Sequence, residues 1–277
     1  MRTLQQLTRL LTVVALLLGG LVMTGAPAAT AVQQTQSGAT TTICGYTPVP
    51  AGWVILSQTS AGCSGYGQRT IMQLTTETTV QACANSPIPD GWVITAMQNV
   101  TGCGSFPQYT LLRITTQTTV TDCAQSAILS GWVIVAIQTS GTPCGSYGTY
   151  TVTLLTTQTS ILACANSAIP NGWVILSRQN GAGCGNYPLY NLLRITDQTT
   201  LTTCAQSAIP TGWVVTAIRT SGTPCGTYGD YTILKITNET GLQVCGNSTI
   251  PTGWTVTGQG SGSQCGVYVV YTIRKTG

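Results

Sequence analysis

Apolar residues in this chain arrive in short bursts separated by polar, glycine-rich stretches. One kind begins at a tryptophan, as in Trp92-Val93-Ile94-Thr95-Ala96-Met97, and the other at a tyrosine, as in Tyr109-Thr110-Leu111-Leu112-Arg113-Ile114-Thr115. Both are rich in β-branched and aromatic residues and are bounded by Gly, Pro, Ser or Asn, which predicts two β-strands. Beyond residue 31 no stretch sustains a 3.6-residue apolar period, because turn formers recur about every ten positions. Helix is excluded on that ground.

The bursts repeat. Tryptophan stands at 53, 92, 132, 173, 213 and 254, each time after a glycine, so the period is 39 to 41 residues. The consensus runs C-A-x-S-x-I-P-x-G-W-V-I, then a polar stretch, then C-G-x-Y-x-x-Y-T-L-L-R-I-T-x-Q-T-T. Periods of this length belong to stacked or propeller-like arrays. Six copies, at about 44–82, 83–122, 123–163, 164–203, 204–244 and 245–277, fill the chain and leave no room for a separate domain. Before each tryptophan an Ile-Pro-x-Gly turn is expected, as at Ile88-Pro89-Asp90-Gly91. Proline sets the second turn position, and glycine takes a conformation closed to side chains. In the third copy Leu129 replaces the proline, so Gly131 must make the turn without it.

The inner copies alternate in type. "FPQYTLLRIT" and "YPLYNLLRIT" mark the second and fourth, "TSGTPCGSYGTY" and "TSGTPCGTYGDY" the third and fifth, and the end copies fit neither. Atypical ends suit an open stack, whose terminal units face water with surfaces that inner units bury. The fold expected is therefore all-β: six tandem disulfide-stapled β-hairpin repeats in an open solenoid-like stack, favoured over a closed propeller-like ring.

Residues 1–31 differ from the rest. Arg2 and Arg9 precede the apolar run Leu10 to Met23, and "TGAPAATA" follows with the small residues a signal peptidase accepts. The run is shorter than the ~20 residues of a membrane span. This predicts a signal peptide cleaved after Ala31, a flexible leader over 32–43, and a secreted chain, extracellular or on the cell surface, with no membrane span after signal removal.

All twelve cysteines, Cys44, Cys63, Cys83, Cys103, Cys123, Cys144, Cys164, Cys184, Cys204, Cys225, Cys245 and Cys265, lie beyond the leader. An even number in an exported chain points to disulfides. Pairing within copies completes six bridges without remainder and is favoured. Pairing across junctions, 63 with 83 and onward, is the alternative, and spacing alone does not choose between them. Metal binding is disfavoured, because there is no C-x-x-C and no histidine.

Charge narrows the function classes. Charged residues make up 6% of the chain, ten Lys and Arg against six Asp and Glu, with two of the arginines, Arg2 and Arg9, in the predicted signal peptide. No basic face for nucleic acid can be built from so few cations. Catalysis is not expected: histidine is absent, and the six acids, Glu77, Asp90, Asp122, Asp197, Asp230 and Glu239, occupy different slots of the repeat. No cofactor is implied. The threonine runs, such as 115–119, occur once per copy without a flat ladder and suggest polar strand ends and loops. Asn99, Asn238 and Asn247 begin N-x-Ser/Thr sequons.

What remains are aromatic rings. Trp92, Trp132, Trp173 and Trp213 could stack on sugars, although an apolar residue fixed in every copy and followed by aliphatics looks like core. Tyr109, Tyr150, Tyr190, Tyr231 and Tyr271 have the better claim to partial exposure, because a phenol keeps its hydroxyl in water. Two functions follow as expectations. The first is a structural or adhesive component of the extracellular surface, a fibre or matrix subunit that self-associates. The alternative is a secreted multivalent carbohydrate-binding protein engaging polysaccharide.

Overall fold

The computed structural model describes residues 38–276. The predicted signal peptide and the first part of the leader lie outside the described residues. Within them the chain forms eighteen strands in six three-stranded antiparallel sheets. The first sheet holds β1 (Thr40–Cys44), β2 (Trp53–Thr59) and β3 (Gln68–Gln73), and the second β4 (Thr79–Cys83), β5 (Trp92–Gln98) and β6 (Gln108–Arg113). Next come β7 (Thr119–Cys123), β8 (Trp132–Gln138) and β9 (Thr149–Leu154), then β10 (Ser160–Cys164), β11 (Trp173–Gln179) and β12 (Leu189–Arg194). The last two sheets are β13 (Thr200–Cys204), β14 (Trp213–Arg219) and β15 (Asp230–Lys235), and β16 (Gly241–Cys245), β17 (Trp254–Gly260) and β18 (Val270–Lys275).

Each repeat thus adds a third strand to the expected hairpin. The strand that begins at the tyrosine burst is central, flanked by the tryptophan strand and by a short strand ending at the first cysteine. This short strand alternates cleanly: Val80 and Ala82 are buried while Thr79 and Gln81 are not. Its counterpart in the first repeat corrects one expectation, since residues 40–43 of the leader are paired with β3 (Thr41 opposite Ile71, Ile43 opposite Arg69). The structural frame therefore starts a few residues before each cysteine-led copy. The glycine turn holds in all six repeats: the Trp92 amide donates to the Pro89 carbonyl at 3.2 Å, and the Trp132 amide to that of Leu129 at 3.1 Å. Gly131 keeps φ at 82° without the proline.

All six bridges close within repeats, Cys44–Cys63 through Cys245–Cys265, with Cα atoms 5.3 to 5.6 Å apart. Six such bridges are compatible with an oxidising, extracellular setting. Each joins the end of the short strand to the turn before the central strand, and a loop of about 20 residues closed this way contributes on the order of 3 kcal/mol in the chain-entropy model.

The core lies between repeats. One apolar cluster gathers Val54 and Met72 from the first repeat, Val80, Trp92, Ile94 and Leu111 from the second, and Cys123 with Cys144 from the third. The next combines Val93 of the second repeat, Trp132, Ile134 and Val152 of the third, and Cys164 with Cys184 of the fourth. Each inner sheet is thereby covered by its neighbours on both sides. Neighbouring sheets do not share a ladder. Each tryptophan strand carries a one-residue bulge, as between Ile94 and Ala96, which disrupts edge pairing. The amide just before the bulge instead meets a serine of the next repeat. Ile55, Ile94, Ile134, Ile175 and Val215 donate to the hydroxyls of Ser86, Ser126, Ser167, Ser207 and Ser248 over 2.5 to 3.1 Å, all buried. The serine of C-A-x-S is the joint of the stack.

The stack is open. Thr255, Val256 and Thr257 of the last tryptophan strand face solvent, as do Thr40 to Thr42 of β1. Thr255 stands where the five preceding repeats bury Val54, Val93, Val133, Val174 and Val214, and Thr41 where the five following repeats place Val80, Val120, Ile161, Leu201 and Leu242. Both ends are capped by exchanging an aliphatic residue for threonine at the slot an inner junction would cover.

A row of exposed rings as candidate functional site

The second cysteine of every repeat opens a tight turn whose third residue onward is aromatic: Tyr66, Phe106, Tyr147, Tyr187, Tyr228 and Tyr268. Five of the six turns have glycine directly after the cysteine with positive φ, from 58° to 64°, while Ser64 takes the slot at 57° in the first. In most of the turns the ring residue's amide donates back to the cysteine carbonyl, at 3.2 Å for Phe106 and 3.0 Å for Tyr187. The cysteine is itself fixed by its bridge and buried to 0% exposure in repeats two to six. A covalent staple therefore holds the root of each ring, and the ring projects outward. Exposure is 69% for Tyr66, 43% for Phe106, 56% for Tyr147, 48% for Tyr187, 55% for Tyr228 and 44% for Tyr268.

Neighbouring groups shape this row. The Arg178 guanidinium of the fourth repeat lies 5.5 Å from the centre of the Tyr228 ring of the fifth, a cation–π contact across a junction. In the first repeat Tyr46 meets Tyr66 edge to face, with ring centres 5.3 Å apart. The slot of Tyr46, two residues after the first cysteine, holds Asn85, Gln125, Asn166, Gln206 and Asn247 in the other repeats. These half-buried amides have buried oxygens without a hydrogen-bond partner among the described residues.

The aromatic residues singled out from sequence fall elsewhere. Trp92, Trp132, Trp173 and Trp213 are 4 to 7% exposed and belong to the inter-repeat clusters, so their faces are closed to a stacking ligand. Tyr109, Tyr150, Tyr190, Tyr231 and Tyr271 are half-buried. The first four pack against the next repeat's bridge, as Tyr109 does with Cys123 and Cys144. Burial raises the Tyr190 phenol above its usual value, with a further rise from nearby Tyr228 and a partial offset from Arg178. The structure thus buries the tryptophans, leaves these tyrosines partly exposed as expected, and brings a third set of rings to the surface. The signal was present in the sequence. An aromatic residue stands three positions after the second cysteine in all six copies, and in the first five it sits in a Gly, Ser, Asn or Thr turn without the aliphatic run that follows each tryptophan.

The acids do not converge on the row. Glu77 and Glu239 share one slot after all, the one that Gln117, Gln158 and Gln198 fill elsewhere, and their carboxylates accept the amides of Thr75 and Thr237, both at 2.6 Å. Asp230 pairs with Arg219 at 2.6 Å. Asp122 is buried in β7, with neither carboxyl oxygen partnered among the described residues. Among those residues no three His, Cys, Asp or Glu side chains gather where they could hold a metal ion. Comparison with protein family models, curated proteins and solved structures finds no match for this chain.

Proposed function

We propose that the protein is an extracellular adhesive protein that acts by binding, with the six exposed rings as its contact surface and neutral polysaccharide as its ligand. The observation that carries this reading is one outward ring per repeat, anchored at the same turn six times. An aromatic face suits the apolar face of a pyranose, and the edge of a phenol can share hydrogen bonds with its hydroxyls. A surface with 6% charged residues suits a neutral ligand better than a charged one. A single ring binds weakly, but linked weak sites on a repetitive ligand raise overall affinity by roughly 10² to 10⁴.

The test is retention of the full chain on cellulose, chitin, xylan and mannan. Replacing Tyr147, Tyr187 and Tyr228 together by Ala is expected to lower retention on the bound polymer more than about tenfold while thermal unfolding stays unchanged. Failure to bind any of the four, or equal retention of the triple variant, overturns the reading.

A fibre or matrix subunit growing end to end is the second reading, favoured by strand edges at the two ends of the stack that pair with no described residue. Thr41 and Thr255 weigh against it, because a docking end would be expected to keep the aliphatic residue of the inner junctions. Size-exclusion chromatography with electron microscopy separates the two: filaments favour the fibre, a discrete particle the binder.

A further inference from the structure

The first repeat departs from the others in the three slots around its ring. Tyr46 replaces the half-buried amide, Ser64 replaces the turn glycine, and Arg69 replaces the half-buried tyrosine of the central strand. Of these, Arg69 joins Tyr66 and the turn of the second repeat in lining a groove of about 550 Å³, whose walls also include Gln58, Gln68, Thr101 and Ser105. A groove of this size accommodates a small ligand of one or two sugar rings.

Arg69 decides what that ligand is. Its guanidinium has no ion pair and no hydrogen bond with any described residue, whereas Arg219 is paired with Asp230. In the equivalent slot the second to fifth repeats carry a tyrosine packed beside the next repeat's bridge, whereas Arg69 sets a half-buried cation in the groove wall. A planar guanidinium offers parallel N–H donors that match the two oxygens of a carboxylate. The exposed Tyr66 ring stands in the same groove as a stacking surface. The amide of Gln68 and the hydroxyls of Thr101 and Ser105 are suited to sugar hydroxyls, and Gln58 already donates its Nε2 to the Cys103 carbonyl at 2.6 Å, which holds the groove's floor in place.

We infer that this groove between the first and second repeats is a subsite for a uronate residue, its carboxylate on Arg69 and its ring on Tyr66. The inference rests on the polysaccharide-binding reading but is separable from it. The other five turns grip neutral chain, and this end reads the acidic sugar within it.

The probes are trigalacturonate and its carboxyl-reduced counterpart, trigalactose, both too short to engage several turns at once. Titration calorimetry of the full chain at low salt is expected to give at least about tenfold tighter binding of the acidic trimer, the scale of one charge-assisted hydrogen-bonded pair. Arg69→Gln is expected to erase the preference while retention on neutral polymer persists, and Tyr66→Ala to weaken both trimers alike. Equal affinity of the wild-type protein for the two trimers, or a preference that survives Arg69→Gln, overturns the inference. If the triple-ring variant shows the neutral reading to be wrong, the trimer preference still stands or falls on its own.

Discussion

Replacing Asp122 by Ala should make the chain's stability nearly independent of pH between 4 and 8, where the wild-type protein should weaken as pH rises. Asp122 lies in β7 at 1% exposure, opposite Tyr150 in the sheet. Around it are Val93, Ile114, Leu129, Trp132 and Val152, lining a void of about 10 Å³, at or below the size that holds one water. No cation pairs with it among the described residues. Burial pushes its carboxyl from the ordinary 3.8 to about 7, and the nearby Ser126 hydroxyl and its own backbone amide offset only part of this.

The folded chain therefore holds a proton that the unfolded chain has released across the interval from 3.8 to about 7. Stability falls with rising pH wherever the native state binds more protons. The contribution is fully present below about pH 4 and gone above about pH 7. At about 1.4 kcal/mol per pH unit the loss amounts to roughly 4 kcal/mol. Alanine fills the same slot in the second and fourth repeats as Ala82 and Ala163, so Asp122→Ala places no foreign shape in the strand. Guanidinium unfolding with bridges intact, followed by tryptophan fluorescence, measures both proteins at each pH. The difference between them should change by about 4 kcal/mol from pH 4 to pH 8, in favour of the variant at the higher pH. A comparison of differences cancels any fixed packing cost of the substitution. A difference constant to within about 1 kcal/mol would sink the reasoning, since a buried, unpaired carboxyl cannot be indifferent to its own ionisation.

Two further substitutions separate joint, core and surface. Ser167→Ala removes the acceptor that the buried Ile134 amide meets at 3.0 Å, and leaving that donor unsatisfied should cost about 1 to 3 kcal/mol, with faster hydrogen exchange at Ile134 as the local signature. Trp173→Ala, at a site 7% exposed, should cost roughly 3 to 5 kcal/mol in the same unfolding assay. Tyr187→Ala, at a ring 48% exposed, should stay within about 0.5 kcal/mol; a large loss there would make the ring structural and remove it from the contact surface.

Periodicity made the architecture legible because it was carried by cysteine, tryptophan and the glycine before it, residues whose roles tolerate no exchange. The same regularity favoured pairing of the sulfurs within copies and a core role for Trp92 and its equivalents, and the structure has both. The third strand was not legible in it. Thr79-Val80-Gln81-Ala82-Cys83 alternates properly, but it is five residues long and half polar, and it is held by pairing to a strand about 30 residues later. Short alternation is weak evidence until its partner is known. The same difficulty hid β1 within a threonine-rich leader. The exposed rings were overlooked for a different reason: both aromatic slots after the second cysteine are occupied in nearly every copy, and nothing local distinguishes a ring that points at the next repeat from one that points at water. That distinction is made by the stack. Tyr109 lies on a strand face that the third repeat's bridge covers, while Phe106 sits on the turn beside it with nothing beyond.

Each bridge consequently does two jobs with one pair of atoms. Cys123 and Cys144 root the turn that carries Tyr147, and they also pack among Val54, Trp92 and Leu111 in the cluster that joins the first three repeats. The backbone root of each inner ring is thereby tied to the joint between repeats. That coupling keeps the contact surface in register along the stack although no repeat has a core of its own. A ligand that spans several rings would then bind the folded stack alone, stabilising every junction it crosses. The adhesive reading and the stability of the stack are in this sense one property. A polymer that is bound should raise the unfolding midpoint more than a trimer confined to the first groove, because only the polymer bridges inner junctions.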